Sequence, residues 1–484
     1  MYKKTNRIQP SLEDFLLPFG GKLSANNRWV KEAKLIPWDL VEDLYAESFK
    51  NEREDGRPPI PARIAYGALY IKEREKLTDE RCVEHIAENA YMQYFLGLKE
   101  FRQEPLFDAS MMTHFRKRFS PEAMQKINEE LYRRAHPPKA DDANEPGDGG
   151  NSNKGALIID ATVAPADIRY PTDLELLNEC REQTEAIIES LWGTSLRYGH
   201  KTGYSRKKAR KEYLKVAKQR KPRKKLIRQT IGKQLIYVEK NLARLKTLLN
   251  ENPNPKLSPK KEQRLETIEQ LVKQQRQMFD QRSHVCENRI VSLRQPHVRP
   301  IVRGKTSASV EFGQKLELVI VDGFTFLEKQ SFNNFNEGVT LIAAIERYRG
   351  RFGAYPEAIL ADKLYRNREN LRYCKEQGIR LSGPRLGRPK AADIQADREQ
   401  AYQDSCQRNM VEGRIGVSKR RYGLSRIMAY LPETALNEAA MQIFVMNVAH
   451  LIRRFLRLFY QCNSEDLFLR YCCSFSFSWF FSKP

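Results

Sequence analysis

A short apolar, β-branched run at residues 156–163, ALIIDATV, carries one carboxylate, Asp160, at its centre. Its length and its Ile and Val content are those of a buried strand. An isolated carboxylate in such a strand is costly unless it is paired, hydrogen-bonded or bound to a metal ion. The rest of the chain therefore has to supply a reason for Asp160.

The sequence on either side divides into segments of different character. Residues 1–136 read as all-helical, with helix formers at 61–76, a capping Thr78 or Asp79 before Val83 and Ile86, and Asp108 or Ser110 before MMTHFRKRF. Short helices joined by tight turns are compatible with a helix-turn-helix DNA reader, which would set Arg116, Lys117 and Arg118 near a phosphate backbone. A plain bundle with a charged face explains the same pattern. Residues 137–154, PPKADDANEPGDGGNSNK, have almost no apolar content and predict an exposed, flexible linker.

Beyond a first core strand segment at 155–172, residues 173–290 predict a basic helical insertion. Residues 201–250 hold eighteen Lys or Arg against two Glu. Within them Ile227, Ile231, Leu235, Val238, Leu242, Leu245 and Leu249 recur at steps of three or four, and Leu265, Ile268, Leu271 and Met278 continue after the ENPNPKLSP break. This predicts a helical hairpin with an apolar seam and a basic outer face. Such a hairpin either only spaces or dimerises the chain, or clamps DNA through Lys207, Lys208, Arg210, Arg223, Lys224 and Lys225.

Residues 291–462 return to mixed structure. Leu316, Leu318 and Ile320 alternate as in a strand, and Gly313-Gln314 and Asp322-Gly323 predict turns of a meander. Helices are expected at 336–349, 366–377 and 397–412, and strands at 358–361, ending at Asp362, and at 378–383. The sum is an α/β layer architecture whose first strand is separated from the rest by the helical insertion. A tail at 463–484 packs Phe, Tyr and Trp around Cys472 and Cys473, with no physical reason evident in the sequence.

Composition narrows the function classes. The chain has 84 Lys and Arg against 61 Asp and Glu, a net charge of +23, which favours nucleic acid first and an anionic membrane second. No secretory leader is expected, and no membrane span, because His450, Arg453, Arg454 and Arg457 interrupt the most apolar late stretch. Eight cysteines without a CxxC pair predict reduced thiols in a cytosolic protein. RGKTS at 303–307 lacks the glycine of a phosphate-binding loop, since Arg299 stands there and no apolar strand precedes it. The histidines form no HExxH, and His114 reads as a surface or phosphate-contacting residue.

Asp362 stands to its strand as Asp160 stands to the first, and Glu412 lies on the following helix. Three carboxylates from separate elements suit hard divalent cations such as Mg²⁺, which can activate a nucleophile and stabilise a leaving oxygen in phosphoryl transfer. Arg408 lies one helical turn before Glu412, and Lys419 and Arg420 follow it. An ordinary surface ion-pair network fits these charges too. Asp322, before Gly323, reads as a turn residue, and Asp167 and Asp173 as local caps.

Five ordered motifs, IDATVAPADIRYPTDL, RGKTSASVEFGQKLEL, PEAILADKLYRNREN, GIRLSGPRLGRP and RNMVEGRIGVSKRRYGLSRI, together resemble the DDE transposases of bacterial insertion sequences. The resemblance is to the insertion-sequence-five-like group with an InsH-like N-terminal domain, and covers about residues 10–460. It implies an RNase H-like catalytic core in which Asp160, Asp362 and Glu412 are catalytic and hold two Mg²⁺ ions, Mn²⁺ being able to substitute, with no nucleotide or organic cofactor. Arg408, Glu412 and Lys419 match the family's Tyr-x2-Arg-x3-Glu-x6-Lys spacing, whereas Ser405 takes the Tyr position and Tyr402 is the nearest tyrosine. The implied partners are double-stranded DNA, as terminal inverted repeats and target, and further copies of the chain, a dimer in a synaptic complex. The implied location is the bacterial cytoplasm. Asn336, Tyr365, Arg366 and Asn370 lie beside the motifs, where the sequence does not separate shaping from purely structural roles. The alternatives are an inactive DNA-binding protein derived from a transposase and an RNase H-like nuclease without strand transfer.

Overall fold

The computed structural model describes Lys4 and residues 11–17, 20–49, 58–137, 153–194, 205–251, 257–303, 310–383 and 394–461. The body of the expected linker, residues 304–309, the PRLGRP stretch after Gly383 and the aromatic tail lie outside the described residues.

The apolar run forms β1 (Ala156–Pro165), a central strand of a six-stranded mixed sheet. The other strands are β2 (Arg299–Val302), β3 (Val310–Val321), β4 (Phe324–Ser331), β5 (Ala358–Leu360) and β6 (Arg380–Leu381). β1 pairs antiparallel with β3 on one side and parallel with β5 on the other; β4 and β2 pair with β3, and β6 lies parallel to β5. Parallel neighbours need crossovers. Here α12 (Leu341–Phe352) and α13 (Arg368–Glu376) carry the chain into β5 and β6. This mixed sheet with flanking helices fits an RNase H-like core.

Successive residues of β1 serve opposite faces. Leu157 and Ile159 enter the largest core, while Ile158 packs with Ile320, Leu360 and Val411 of α14 (Ile394–Arg421). Asp160 shares the parity of Ile158 and so belongs to the α14 face.

One turn expected from sequence is absent. Gly313 and Gln314 lie inside β3, opposite Pro165 and Ala164 of β1. A Cβ on Gly313 would collide with the Ala164 carbonyl oxygen, so this glycine permits close strand approach rather than a turn. The other turn is present. Asp322 and Gly323 both adopt positive φ, 50° and 80°, as a tight two-residue hairpin requires.

The described elements before β1 are seven helices: α1 (Arg28–Leu35), α2 (Trp38–Glu47), α3 (Ala62–Glu75), α4 (Asp79–Glu88), α5 (Ala90–Phe95), α6 (Met111–Arg118) and α7 (Pro121–Ala135). Asn27, Thr78, Asn89 and Ser120 cap α1, α4, α5 and α7 through their side chains. These helices do not close on themselves. Their buried side chains are continuous with those of the sheet and of α15 (Pro432–Gln461). Phe444 of α15 meets Tyr66 and Tyr70 edge-on, and Asn447 Nδ2 donates to both Asn128 Oδ1 and the Thr325 carbonyl oxygen. α15 is long and apolar enough to cross a membrane, but most of it is buried between the N-terminal helices and the sheet.

Between β1 and β2 the chain forms α8 (Asp173–Thr194), α9 (Arg206–Ala217), α10 (Lys224–Glu251) and α11 (Pro259–Asp280). Leu235 and Val238 pack with Leu176, Leu177, Ile268 and Leu271 in one core, and Leu245 with Ile187, Ile188 and Leu191 in a second. The apolar seam read from the sequence is thus buried, in an array of four helices rather than a lone hairpin. Asp173 is no simple cap: it accepts from Arg289 at 2.7 Å and Gln275 at 2.8 Å, tying the start of the array to its end.

Candidate active site and basic face

β5 stops pairing with β1 at Ile158, so the next residues of β1 lie where the two parallel strands separate. Asp160 stands there. Asp362 follows β5 by two residues and caps a 3₁₀ turn, Lys363–Tyr365, through the Lys363 backbone N–H. Val411 packs α14 on this face, and Glu412 follows it with its side chain exposed. Arg408, one turn earlier, reaches both acids: its guanidinium is 3.6 Å from Asp362 Oδ1 and 3.9 Å from Glu412 Oε1. The structure therefore links Asp362, Arg408 and Glu412 directly.

Asp160 has a different environment. It is half-buried, accepts from the Ala161 N–H at 2.8 Å, and makes no ion pair among the described residues. Burial pushes its carboxyl above the usual carboxylate range, against that hydrogen bond, and the nearby charges of Glu337 and Asp362 push it further. A carboxylate desolvated beside two others is a group that gains from a cation. In donor chemistry, three carboxylate oxygens suit Mg²⁺. In spacing, no three His, Cys, Asp or Glu side chains among the described residues are gathered closely enough to hold a metal ion, and Arg408 is what bridges Asp362 and Glu412.

Four residues beside the motifs have definite work. Asn336 Oδ1 accepts from the Gly338 N–H, starting the 3₁₀ turn Glu337–Val339. Arg366 Nη1 donates to the Leu381 and Ser382 carbonyl oxygens. Asn370 Nδ2 donates at 2.7 Å to the carbonyl oxygens of Gly338 and Tyr365, and the Tyr365 hydroxyl donates at 3.0 Å to Glu317 Oε1. Three more residues were not singled out by sequence. Glu337 sits at the rim, where Lys315 Nζ pairs with its Oε1 at 2.8 Å, and Glu317 lies fully buried on β3 beneath. The only hint was Lys315 and Glu317, two charges spaced by two beside the apolar run of β3.

The cations chosen from sequence separate into groups. Lys207, Lys208, Arg210, Arg223, Lys224 and Lys225 are all exposed on α9, α10 and the turn between them, and none makes an ion pair among the described residues. Arg420 is exposed at the end of α14, and Lys419 is half-buried beside it. Of the three α6 cations, only Lys117 is fully exposed. Arg116 is buried on Asp79, and Arg118 lies over the Phe49 ring, 3.9 Å from its centre, donating to the Ser48 carbonyl oxygen at 3.0 Å. The expectation that all three line a phosphate backbone is therefore corrected: α6 spends Arg116 and Arg118 on packing. The rival acids are likewise engaged elsewhere, Asp167 with Arg426 at 2.5 Å and Asp322 with the Tyr132 hydroxyl at 2.8 Å.

Comparison with known families agrees with this geometry. Residues 359–449, which contain Asp362, Arg408 and Glu412, match the family described as "Transposase DDE domain". Residues 18–118 match the family described as "Transposase domain (DUF772)". The mixed sheet with flanking helices, taken with the first of these matches, fits an RNase H-like core. Both matched stretches are thus similar to transposase families, which is consistent with an insertion-sequence transposase. It is also 33% identical over 147 residues to an uncharacterised protein, ORF8 in the nfe locus of Rhizobium meliloti, a match that spans 30% of this chain and 66% of that relative. No solved structure matches the chain.

Proposed function

We propose that the protein is a DNA transposase of a bacterial insertion sequence, cleaving and joining DNA with Asp160, Asp362 and Glu412 as ligands of divalent metal ions. What supports this reading is Asp160, desolvated within range of the charge of Asp362 and, among the described residues, without an ion-pair partner, together with Arg408, which reaches both Asp362 and Glu412.

Ions held there would lower the pKa of a bound water and neutralise charge on the leaving oxygen. Asp160 on β1, Asp362 at the turn after β5 and Glu412 on α14 would be the residues to hold them. Hydrolysis attaches the water oxygen to phosphorus and breaks the bond to the 3′ oxygen, which leaves as a hydroxyl at the element end. That hydroxyl then attacks a target phosphodiester; one phosphate ester forms as another breaks, so no ATP is required. Arg408, already beside two of the acids, and Lys419 and Arg420 on the same helix, serve the phosphates around the cut. Lys207, Lys208, Arg210, Arg223, Lys224, Lys225 and Lys117 hold the DNA backbone farther away. The chain works in the cytoplasm as a homo-oligomer on paired ends.

Asp160→Ala, Asp362→Ala and Glu412→Ala should each abolish Mg²⁺-dependent cleavage of a duplex carrying the flanking element end, leaving end binding within a few-fold. A variant that still cuts near the wild-type rate removes that residue from the ligand set.

A further inference from the structure

Beneath the carboxylate site lies a charge that the proposed chemistry does not use. Glu317 of β3 is 0% exposed. Its Oε1 accepts from two hydroxyls, Thr340 Oγ1 and, at 3.0 Å, Tyr365 OH, whereas its Oε2 has no partner among the described residues. A buried carboxylate with one oxygen unsatisfied is expensive, and an apolar side chain of similar size would fill the same space at less cost. Burial accordingly pushes the Glu317 carboxyl up, with the two hydroxyls opposing. What it obtains in exchange is geometric: its two donors come from different loops.

Thr340 ends the 3₁₀ turn that carries Glu337, and its N–H donates to the Glu337 carbonyl oxygen at 3.2 Å. Tyr365 ends the 3₁₀ turn that starts at Asp362, and its N–H donates to the Asp362 carbonyl oxygen at 3.0 Å. The loops are laced again above, where Asn370 reaches one carbonyl oxygen of each. Two residues before Glu317 on the same face of β3, Lys315 Nζ holds the Phe335 carbonyl oxygen at 2.8 Å and Glu337 Oε1 at 2.8 Å.

We propose that Glu317 is a positioning residue that locks these two loops together, so that Asp362 and Glu337 keep one fixed relation to Asp160 on the neighbouring strand. This rests on the carboxylate-site reading above for its consequence, but the locking itself is a property of the protein alone. Groups that hold ligand-bearing segments commonly control metal affinity as strongly as the ligands' own surroundings do.

The test uses Tyr365→Phe and Thr340→Val, each of which deletes one hydroxyl from the full-length protein with little change of shape. Hydrogen exchange followed by mass spectrometry should show residues 336–341 and 362–367 both exchanging about fivefold faster in either variant, the factor that removal of one hydrogen bond gives. β1 and β3 should be unchanged. Mn²⁺ binding to the protein without DNA should weaken about tenfold, and the double variant should be no worse than the singles. Faster exchange confined to the loop whose own hydroxyl was removed, or multiplicative effects in the double variant, would overturn the coupling. If wild type and Asp160→Asn take up Mn²⁺ alike, the carboxylate-site reading fails instead, and the exchange result still decides the role of Glu317.

Discussion

The N-terminal helices and the insertion between β1 and β2 are built from the same secondary structure and joined to the sheet in opposite ways. α1–α7 bury their apolar faces in the core that also holds Val319, Phe324 and Phe326 of the sheet and Phe444 of α15. Polar side chains stitch the joint: Asn437 Nδ2 to the Phe119 carbonyl oxygen at 2.9 Å, Asn128 Nδ2 to that of Thr325 at 3.1 Å, and Gln442 Nε2 to Glu73 Oε2 at 2.9 Å. The insertion has two cores of its own, formed within 176–293. Its outer face carries exposed cations that form no ion pair among the described residues, whereas α6 buries Arg116. Helices that share a core with the sheet must unfold with it; helices that own their core are free to carry a charged surface.

Core substitutions give the largest test of this difference. Phe444→Ala should cost about 3–5 kcal/mol and lower the unfolding midpoint of the N-terminal helices and the sheet together, as read by hydrogen exchange in both. Leu271→Ala should cost about 2–5 kcal/mol yet open only the insertion, leaving protection in β1 and β3 intact. Loss of protection in the sheet after Leu271→Ala would erase the distinction.

Charge comes next. Replacing Lys207, Lys208, Arg210, Arg223, Lys224 and Lys225 by Ser should weaken DNA binding and reduce the slope of log affinity against log salt by about one unit for each phosphate no longer neutralised, without changing the unfolding midpoint. An unchanged slope would make the insertion a spacer.

The smallest effect concerns pH, and it belongs to the seam. Glu438 of α15 holds the Met428 and Ala429 N–H groups at 2.9 Å, and burial together with the charge of Glu73 pushes its carboxyl up to about 7, against Lys72 and Arg116. Because the folded pKa lies above the ordinary 4.5, its contribution is complete below pH 4.5 and disappears as pH rises through about 7. Thermal stability of the core should therefore fall between those values more steeply in wild type than in Glu438→Gln. The insertion, followed by its own exchange rates, should show no such dependence on Glu438.

Much of this organisation was legible in the chain. The lone acid in ALIIDATV, the second at the end of AILA and the Arg-x3-Glu-x6-Lys spacing singled out Asp160, whose carboxyl feels the charge of Asp362, and Arg408, which reaches both Asp362 and Glu412, because strand and helix periods fix which face each occupies. The heptad-like run from Ile227 to Leu249 likewise contained its own seam. Alternation misleads at two places. Gly313 reads as a turn because glycine marks both turns and close strand approaches, and only the position of the Ala164 carbonyl oxygen against it distinguishes them. Glu317 and Lys315 alternate with Leu316 and Leu318, which in a one-sided sheet would put them in water. Helices cover both faces here, so the polar parity is buried too and becomes the support of the site.

What the sequence determined by itself was therefore local and periodic: the elements, their apolar faces, the candidate carboxylates and the basic density of the insertion. Tertiary structure alone decided which charges stay available. Arg116 and Arg118 pack, Lys207 and Lys208 of the insertion stay exposed, and Glu317 is buried with two hydroxyls. Whether a charged side chain meets water or a partner depends on what packs against its face from distant parts of the chain, and no spacing within one segment encodes that.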